Sequence, residues 1–111
     1  MNQVDESNTT RALRKVKDLG PLHELLKRGL PAFVDADGVL DVAAVAKEMG
    51  ISKTAVYYFF SRKSISKKRI ATVCYLSKKT KPSIRPKTML VDGKEVPWAP
   101  LVLDDFWPFM G

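Results

Sequence analysis

Residues 42–61 read VAAVAKEMGISKTAVYYFFS, and their spacing decides the fold. Two helices that cross steeply through a tight turn need a small residue at the contact, a glycine at the reversal and apolar residues facing inward. Ala46 supplies the close contact, and Gly50 supplies the permissive backbone. The inward positions are all apolar: Val45, Met49, Ile51, Val56 and Phe59. Asp41 and Ser52 are suited to cap the two helices, so we predict one helix ending at Met49 and another starting after Ser52.

The outward positions of the second predicted helix carry hydrogen-bonding side chains and no acid. They are Ser52, Lys53, Thr54, Tyr57, Tyr58 and Ser61, followed by Arg62 and Lys63. Such side chains contact base edges, thymine methyl groups and phosphates. An ordinary helical hairpin of a small bundle also needs Ala and Gly at a close crossing, but it does not predict this outward face. The pattern therefore favours a helix-turn-helix that binds double-stranded DNA.

Positive charge is concentrated in and after this segment. The chain of 111 residues has 19 Lys and Arg against 12 Asp and Glu, a net charge of +7, and residues 52–87 hold eleven basic residues and no acidic one. Such a block attracts a polyanion, although a Lys-rich solvated face has the same composition. Lys67 and Lys68, on a helix predicted to start at Ser66, complete the set of predicted DNA contacts.

Residues 50–63, GISKTAVYYFFSRK, resemble the recognition segment of TetR-type repressors, in which a Gly-apolar-Ser-Lys start leads to a Tyr, an aromatic pair and a Lys. The resemblance implies that Tyr57 and Lys63 contact the phosphate backbone and that Phe60 lies in the core. The helical position of Tyr57 also permits a base contact. Residues 65–70, ISKKRI, resemble the start of the fourth helix of phage Cro and repressor domains or of LacI-type headpieces. The chain is far too short for the ligand-sensing domain of a TetR-type repressor, so we expect no small-molecule effector domain.

The composition divides the chain into four predicted regions. Residues 1–8 form a flexible N-terminus, 9–80 the DNA-binding domain, 81–87 an extended basic linker, and 88–111 a hairpin followed by an aromatic, acidic tail. Within the domain, a helix is predicted from Thr9 to Leu19, and a second short one starts at Pro21 and ends near Gly29. The predicted fold is mainly α, a helix-turn-helix bundle with a short C-terminal β-hairpin.

The C-terminal region is rich in residues that build interfaces. Asp92-Gly93 is suited to a two-residue hairpin turn. The residues predicted to contact a partner or a second copy are Leu90, Val91, Trp98, Phe106, Trp107 and Phe109. We expect a homodimer, because symmetric homo-oligomers are the commonest assemblies. The alternative is an adaptor or inhibitor of phage or host-interaction type, whose helix-turn-helix is a scaffold and whose tail binds another protein.

Several classes of protein and site are disfavoured by the composition. No apolar run is long enough for a membrane span and residues 1–20 lack a signal-peptide stretch, so we expect a cytoplasmic, nucleoid-associated protein without membrane contact. A single cysteine, Cys74, and a single histidine, His23, provide neither a disulfide nor a Cys/His metal site, and we expect no cofactor.

Catalytic chemistry has little support in the residues. The carboxylate pairs Asp35 with Asp37 and Asp104 with Asp105 have no neighbouring His or Cys, so no enzyme is predicted. Asp35-Ala36-Asp37-Gly38 lacks the later ligands of a calcium loop and is read as a plain turn. His23 is read as a rim residue and Cys74 as a small buried apolar residue. The function predicted from the sequence is a regulator of transcription, a repressor of phage or mobile-element type.

Overall fold

The structure, a computed structural model, describes residues 19–110 and is mainly helical, with a small antiparallel hairpin near its C-terminal end. In chain order its elements are α1 (Pro21–Gly29), a 3-10 turn (Pro31–Phe33), α2 (Val42–Met49), α3 (Lys53–Arg62), α4 (Lys67–Lys78), β1 (Thr88–Val91), β2 (Lys94–Pro97) and a C-terminal 3-10 helix (Leu103–Phe109). The flexible residues 1–8 and nearly all of the helix predicted from Thr9 lie outside the described residues.

The helix boundaries follow from local capping chemistry. The Asp41 side chain accepts a hydrogen bond from the backbone N–H of Ala44 at 3.0 Å, and the Ser52 side chain accepts one from Ala55 at 3.1 Å. Each bond satisfies one of the backbone donors that a helix leaves unpaired at its start. Both predicted N-caps are therefore confirmed, as is the start of α1 at Pro21.

Residues 34–40 form the predicted plain turn. One carboxylate oxygen of Asp35 accepts hydrogen bonds from the backbone N–H groups of Asp37 at 2.8 Å and of Val39 at 3.0 Å. Val34 and Leu40 pair across the turn in an antiparallel bridge. The Asp35 side chain thus stabilises the turn by holding backbone donors, as Asp commonly does in such turns.

One hydrophobic core joins the four α-helices of residues 19–110. Its fully buried side chains come from α1, α2, α3, α4 and the C-terminal segment, and they include Leu22, Leu26, Val45, Val56, Ile70, Val73, Leu101 and Phe106. The core therefore crosses the predicted linker, and residues 88–110 do not form a separate packing unit.

The burial of the C-terminal segment corrects part of the predicted partner surface. Phe106 is completely buried and Phe109 is 9% exposed, so both belong to the core of their own chain and neither is available to a partner. The backbone N–H of Ile65 donates to the carbonyl of Phe109 at 2.8 Å, which ties this segment to the connection between α3 and α4. Sequence patterning does not distinguish packing on the chain's own core from packing on a partner, because the tail contacts residues far away along the chain.

Gly29, the last residue of α1, is required by packing. A Cβ atom at this position would collide with the side chain of Leu101. The absence of a side chain at Gly29 therefore lets Leu101 reach the core from the other end of the chain.

Residues 81–87 are not the extended linker that the two prolines predict. The backbone turns at Lys81–Ile84, where the N–H of Ile84 donates to the carbonyl of Lys81 at 2.9 Å. The guanidinium of Arg85 then donates to the carbonyls of Thr80 at 2.9 Å and Lys78 at 3.2 Å. Because the last carbonyls of a helix lack backbone donors, Arg85 caps the end of α4 and fixes the path of the chain.

The hairpin forms as predicted around Asp92-Gly93. These residues have φ angles of 54° and 78°, and Val91 pairs with Lys94 across them. Positive φ at both central residues matches the turn type that suits the twist of a hairpin. Leu90 on β1 remains 66% exposed.

His23 is more buried than the sequence predicts, and Cys74 is less buried. His23 is only 7% exposed, because the Phe60 ring lies edge-on to its imidazole with the two ring centroids 5.1 Å apart. The rim position predicted for His23 is therefore wrong. Cys74 is half-buried against the core; this burial, with a smaller contribution from the carboxylate of Asp105, raises the pKa of its thiol.

Candidate functional site

Helices α2 and α3 are joined by a tight turn of three residues, 50–52. Gly50 has a φ angle of 72°, and the N–H of Ile51 donates to the carbonyl of Ala46 at 3.0 Å. This hydrogen bond satisfies one of the last carbonyl groups of α2. The chain then reverses direction immediately before Ser52, the N-cap of α3. The glycine predicted at the reversal therefore has the left-handed backbone that its role requires.

The inward faces of α2 and α3 pack as the spacing predicts. Val45, Ala46, Met49 and Val56 are buried, and Ile51 and Phe59 are half-buried against the same core. Phe60 is 3% exposed, as the resemblance to TetR-type repressors implied for that position. The Tyr57 ring lies edge-on to Phe60 with the ring centroids 6.1 Å apart, so the core supports a side chain on the outward face.

All ten residues predicted to contact DNA are exposed. They are Ser52, Lys53, Thr54, Tyr57, Tyr58, Ser61, Arg62, Lys63, Lys67 and Lys68. Tyr57 is 45% exposed and Tyr58 53% exposed, so each aromatic ring presents a large accessible surface together with a hydroxyl group. The side chains on α3 and at the start of α4 thus provide donors, cations and apolar ring faces.

The positive charge of this surface is not compensated within the described part of the chain. The ion pairs between residues 19 and 110 involve α1: Glu24 with Lys27 and with His23 if protonated, and Asp105 with Arg28. None of them uses a basic residue of the acid-free block 52–87. The cations of α3 and α4 thus have no carboxylate partner among residues 19–110.

The end of α3 turns directly into α4. Lys63 has a left-handed backbone with a φ angle of 54°, and Ser64 donates its backbone N–H to the carbonyl of Phe59 at 3.2 Å. The guanidinium of Arg62 lies over the Tyr58 ring, 4.9 Å from its centroid. A cleft opens between the two helices at this point, and Arg69 of α4 also lines it. Arg69 was not among the predicted DNA contacts; its place in the first turn of α4, beside Lys67 and Lys68, is the signal that identifies it.

Lys78 and Lys79 lie at the opposite end of α4 and are also exposed. With a rise of about 1.5 Å per residue, Lys78 is roughly 17 Å and Lys79 roughly 18 Å along the helix axis from Lys67. Lys79 lies over the Tyr75 ring, 5.1 Å from its centroid. These lysines extend the positive charge but are remote from α3.

Four of the residues predicted to contact a partner lie outside the core and differ in exposure: Leu90, Val91, Trp98 and Trp107. Trp107 is 76% exposed and Leu90 66% exposed, whereas Val91 and Trp98 are half-buried. The indole N–H of Trp98 donates to the carbonyl of Arg28 at 2.9 Å, and the Arg85 guanidinium lies 5.5 Å from the Trp98 ring centroid. Trp98 thus holds the base of the hairpin against α1, beside a groove of about 710 Å³ that Leu25 and Met89 also line.

The carboxylate pairs have structural contacts. Asp35 holds the turn described above. Asp105 accepts a hydrogen bond from the backbone N–H of Val102 at 2.9 Å and lies 3.3 Å from the Arg28 guanidinium. Within residues 19–110, no three His, Cys, Asp or Glu side chains come together in a way that would hold a metal ion. None of the helices in that range combines the length and apolar character needed to cross a membrane.

Comparisons with known proteins return no match to a protein-family model, to a curated protein or to a solved structure. A function for the chain therefore has to be inferred from its own residues and their arrangement.

Proposed function

We propose that the protein is a sequence-specific regulator of transcription that binds double-stranded DNA, acting as a repressor of phage or mobile-element type. In this proposal α2 and α3 are a helix-turn-helix and α3 is the recognition helix in the major groove. The observation that carries the proposal is the outward face of α3, whose exposed polar and aromatic residues adjoin cations that have no carboxylate partner among residues 19–110.

The first turns of α3 are assigned to the bases. Recognition helices direct their N-terminal residues toward base edges in the major groove. Lys53, Thr54 and Tyr57 lie in this part of α3 and are exposed. Lys donates to guanine acceptors, and Thr and Tyr offer a hydroxyl together with apolar surface for a thymine methyl group. Tyr57 also suits the phosphate contact that the TetR-type resemblance implies.

The remaining exposed residues are assigned to the sugar-phosphate backbone. Ser61, Arg62 and Lys63 end α3, and Lys67 and Lys68 begin α4. Contacts of this kind position a protein on the duplex and supply most of its salt-dependent affinity, whereas base contacts supply the specificity.

The regulator is proposed to act as a homodimer. A single recognition helix reads only a few base pairs, and two-fold dimers commonly bind paired half-sites. Leu90 on β1 and Trp107 in the C-terminal 3-10 helix are exposed apolar side chains that a second copy would bury. Such a protein acts in the cytoplasm at the nucleoid. Light scattering on the full chain tests the assembly, and a monomer at tens of micromolar contradicts it.

One observation favours a second candidate, an adaptor or inhibitor that binds a different protein. Trp107 is the most exposed large apolar side chain of the described residues, and tryptophan is enriched among residues that dominate protein interfaces. In that case the α2–α3 unit is a scaffold. The two candidates differ in one outcome, since only the regulator selects a DNA sequence.

The test is selection of bound sequences from a random pool of DNA duplexes, followed by footprinting on the winner. The regulator predicts enrichment of an inverted repeat with half-site centres about 34 Å, or a multiple of that, apart. A bound pool as diverse as the starting pool contradicts sequence-specific binding and favours the adaptor.

A further inference from the structure

The cleft between α3 and α4, which we name the α3–α4 cleft, combines an apolar floor with polar walls. Phe59 and Ile65 belong to its floor. The walls carry the side chains of Tyr58, Arg62, Ser64, Ser66 and Arg69. The volume is about 360 Å³, enough for a phosphate group and its ester oxygens. Cationic and hydroxyl donors thus line a small concave site beside apolar side chains.

Two arginines, Arg62 and Arg69, line the cleft. The Tyr58 ring lies under the guanidinium of Arg62, and this contact restricts the flexible side chain before any ligand arrives. Arg69 is half-buried on the opposite helix. Neither arginine forms an ion pair with a carboxylate of residues 19–110. Arginine presents planar paired donors that match the oxygens of a phosphate.

The hydroxyl groups add donors of the same kind. Ser66 precedes α4, but its side chain caps no backbone N–H of that helix. Ser64 is half-buried in the connection between the helices. Hydrogen bonds from a charged donor are stronger than those from a neutral one, so the two arginines are the strongest donors of the cleft.

We infer that the α3–α4 cleft binds one phosphate group of the DNA backbone, with Arg62 and Arg69 as its two cationic arms. This inference rests on the proposed function, because the phosphate is part of the duplex that α3 reads. Arg62 ends α3 and Arg69 lies in the first turn of α4, so a phosphate bound by both fixes the position of α3 along the groove. Lys63, Lys67 and Lys68 then add further contacts to the sugar-phosphate backbone.

The first arm of the experiment uses inorganic phosphate on the full chain. Arginine side-chain NMR signals are followed during a phosphate titration at constant ionic strength, using chloride as the compensating ion. Saturable shifts confined to Arg62 and Arg69 support the cleft. Absence of saturation at these two residues, or equal shifts at every arginine, overturns it.

The second arm compares two double variants on one duplex. R62Q/R69Q removes the arms of the cleft, and K78Q/K79Q removes the same charge at the other end of α4. We expect R62Q/R69Q to weaken binding at least about tenfold more than K78Q/K79Q, because paired arginine donors hold a phosphate more strongly than a point charge. Equal losses by the two variants overturn the inference and leave the proposed function standing.

Two further results separate the remaining cases. If R62Q/R69Q loses its cooperative thermal transition, the variant R62K/R69K is used in its place. Weakened duplex binding by R62K/R69K supports the cleft, because lysine lacks the paired donors of arginine. Wild-type affinity of R62K/R69K overturns the inference. If phosphate saturates Arg62 and Arg69 while the wild-type chain binds no duplex at low salt, the cleft remains an anion site. The inference about DNA and the proposed regulator are then both contradicted.

Discussion

The backbone N–H of Leu101 donates a hydrogen bond of 2.9 Å to the hydroxyl oxygen of Ser77, a fully buried residue 24 positions earlier in α4. The same hydroxyl donates to the carbonyl of Gly29 at the end of α1. One side chain therefore joins two helices to the C-terminal segment. Buried polar groups need such partners, and here they hold three distant parts of the chain in register.

Replacing Ser77 with alanine tests this junction. The substitution leaves the N–H of Leu101 and the carbonyl of Gly29 buried without that partner, and we expect a loss of about 1–3 kcal/mol in the free energy of unfolding. Urea denaturation followed by circular dichroism measures it. Ser83→Ala, at an exposed turn position, is the matched control and should unfold like the wild type. A Ser77→Ala midpoint equal to that control contradicts the assigned role.

Removal of residues 88–111 tests whether the core depends on the C-terminal segment. The cut deletes Leu101, Phe106 and Phe109, each worth about 1.5–3 kcal/mol when buried. A small domain has only about 5–15 kcal/mol of stability, so we expect the truncated chain to lack a cooperative thermal transition. Trp107→Ala, which changes a side chain 76% exposed, should keep that transition. A sharp melting curve for residues 1–87 would show that the helices fold without the segment.

The thiol of Cys74 gives a pH-dependent probe of the packing between α4 and the C-terminal segment. Burial raises its pKa, and the carboxylate of Asp105 raises it further. Only the thiolate reacts with iodoacetamide, so a raised pKa leaves less thiolate at a given pH. We expect the alkylation rate of the native protein to rise with pH about a midpoint above that of the urea-unfolded chain. A native midpoint below the unfolded one contradicts the assignment.

Salt dependence tests the role of the positive block. If about half of the eleven basic residues of 52–87 reach phosphates, the logarithm of the binding constant should fall against the logarithm of salt concentration with a slope of about −4 to −6. Fluorescence anisotropy with a labelled duplex over a series of salt concentrations measures the slope. An affinity that does not change with salt concentration contradicts the assignment of these basic residues to phosphate contacts.

Much of the helical architecture is predictable because its signals are local. Asp41 and Ser52 cap helices through bonds to residues three positions away, and Gly50 adopts the left-handed backbone at the turn itself. The hairpin at Asp92-Gly93 follows from the same kind of short-range chemistry. The outward face of α3 was predictable too, because helical periodicity separates it from the buried Val56 and Phe60.

The misassigned residues depend on contacts between distant parts of the chain. Phe106 is a large aromatic residue of the kind common at interfaces, and only the folded chain shows that it lies in the core. Arg85 sits between two prolines and reads as part of a linker, yet its guanidinium caps α4. His23 is covered by a ring from α3 that no spacing rule places beside it. Arg69 belongs to the candidate site because it lines the α3–α4 cleft together with Arg62, which the sequence alone does not show.

The central claim is that α3 reads bases, and the most direct measurement is the ratio of affinities for the selected and a random duplex at one fixed salt concentration. We expect Lys53→Ala and Thr54→Ala each to cost about 1–3 kcal/mol on the selected duplex and much less on the random one, which lowers the ratio. Lys78→Ala with Lys79→Ala should weaken binding to both duplexes almost equally and preserve the ratio. An unchanged ratio for the Lys53 and Thr54 variants, with a collapsed ratio for the Lys78/Lys79 variant, would contradict α3 as the recognition helix.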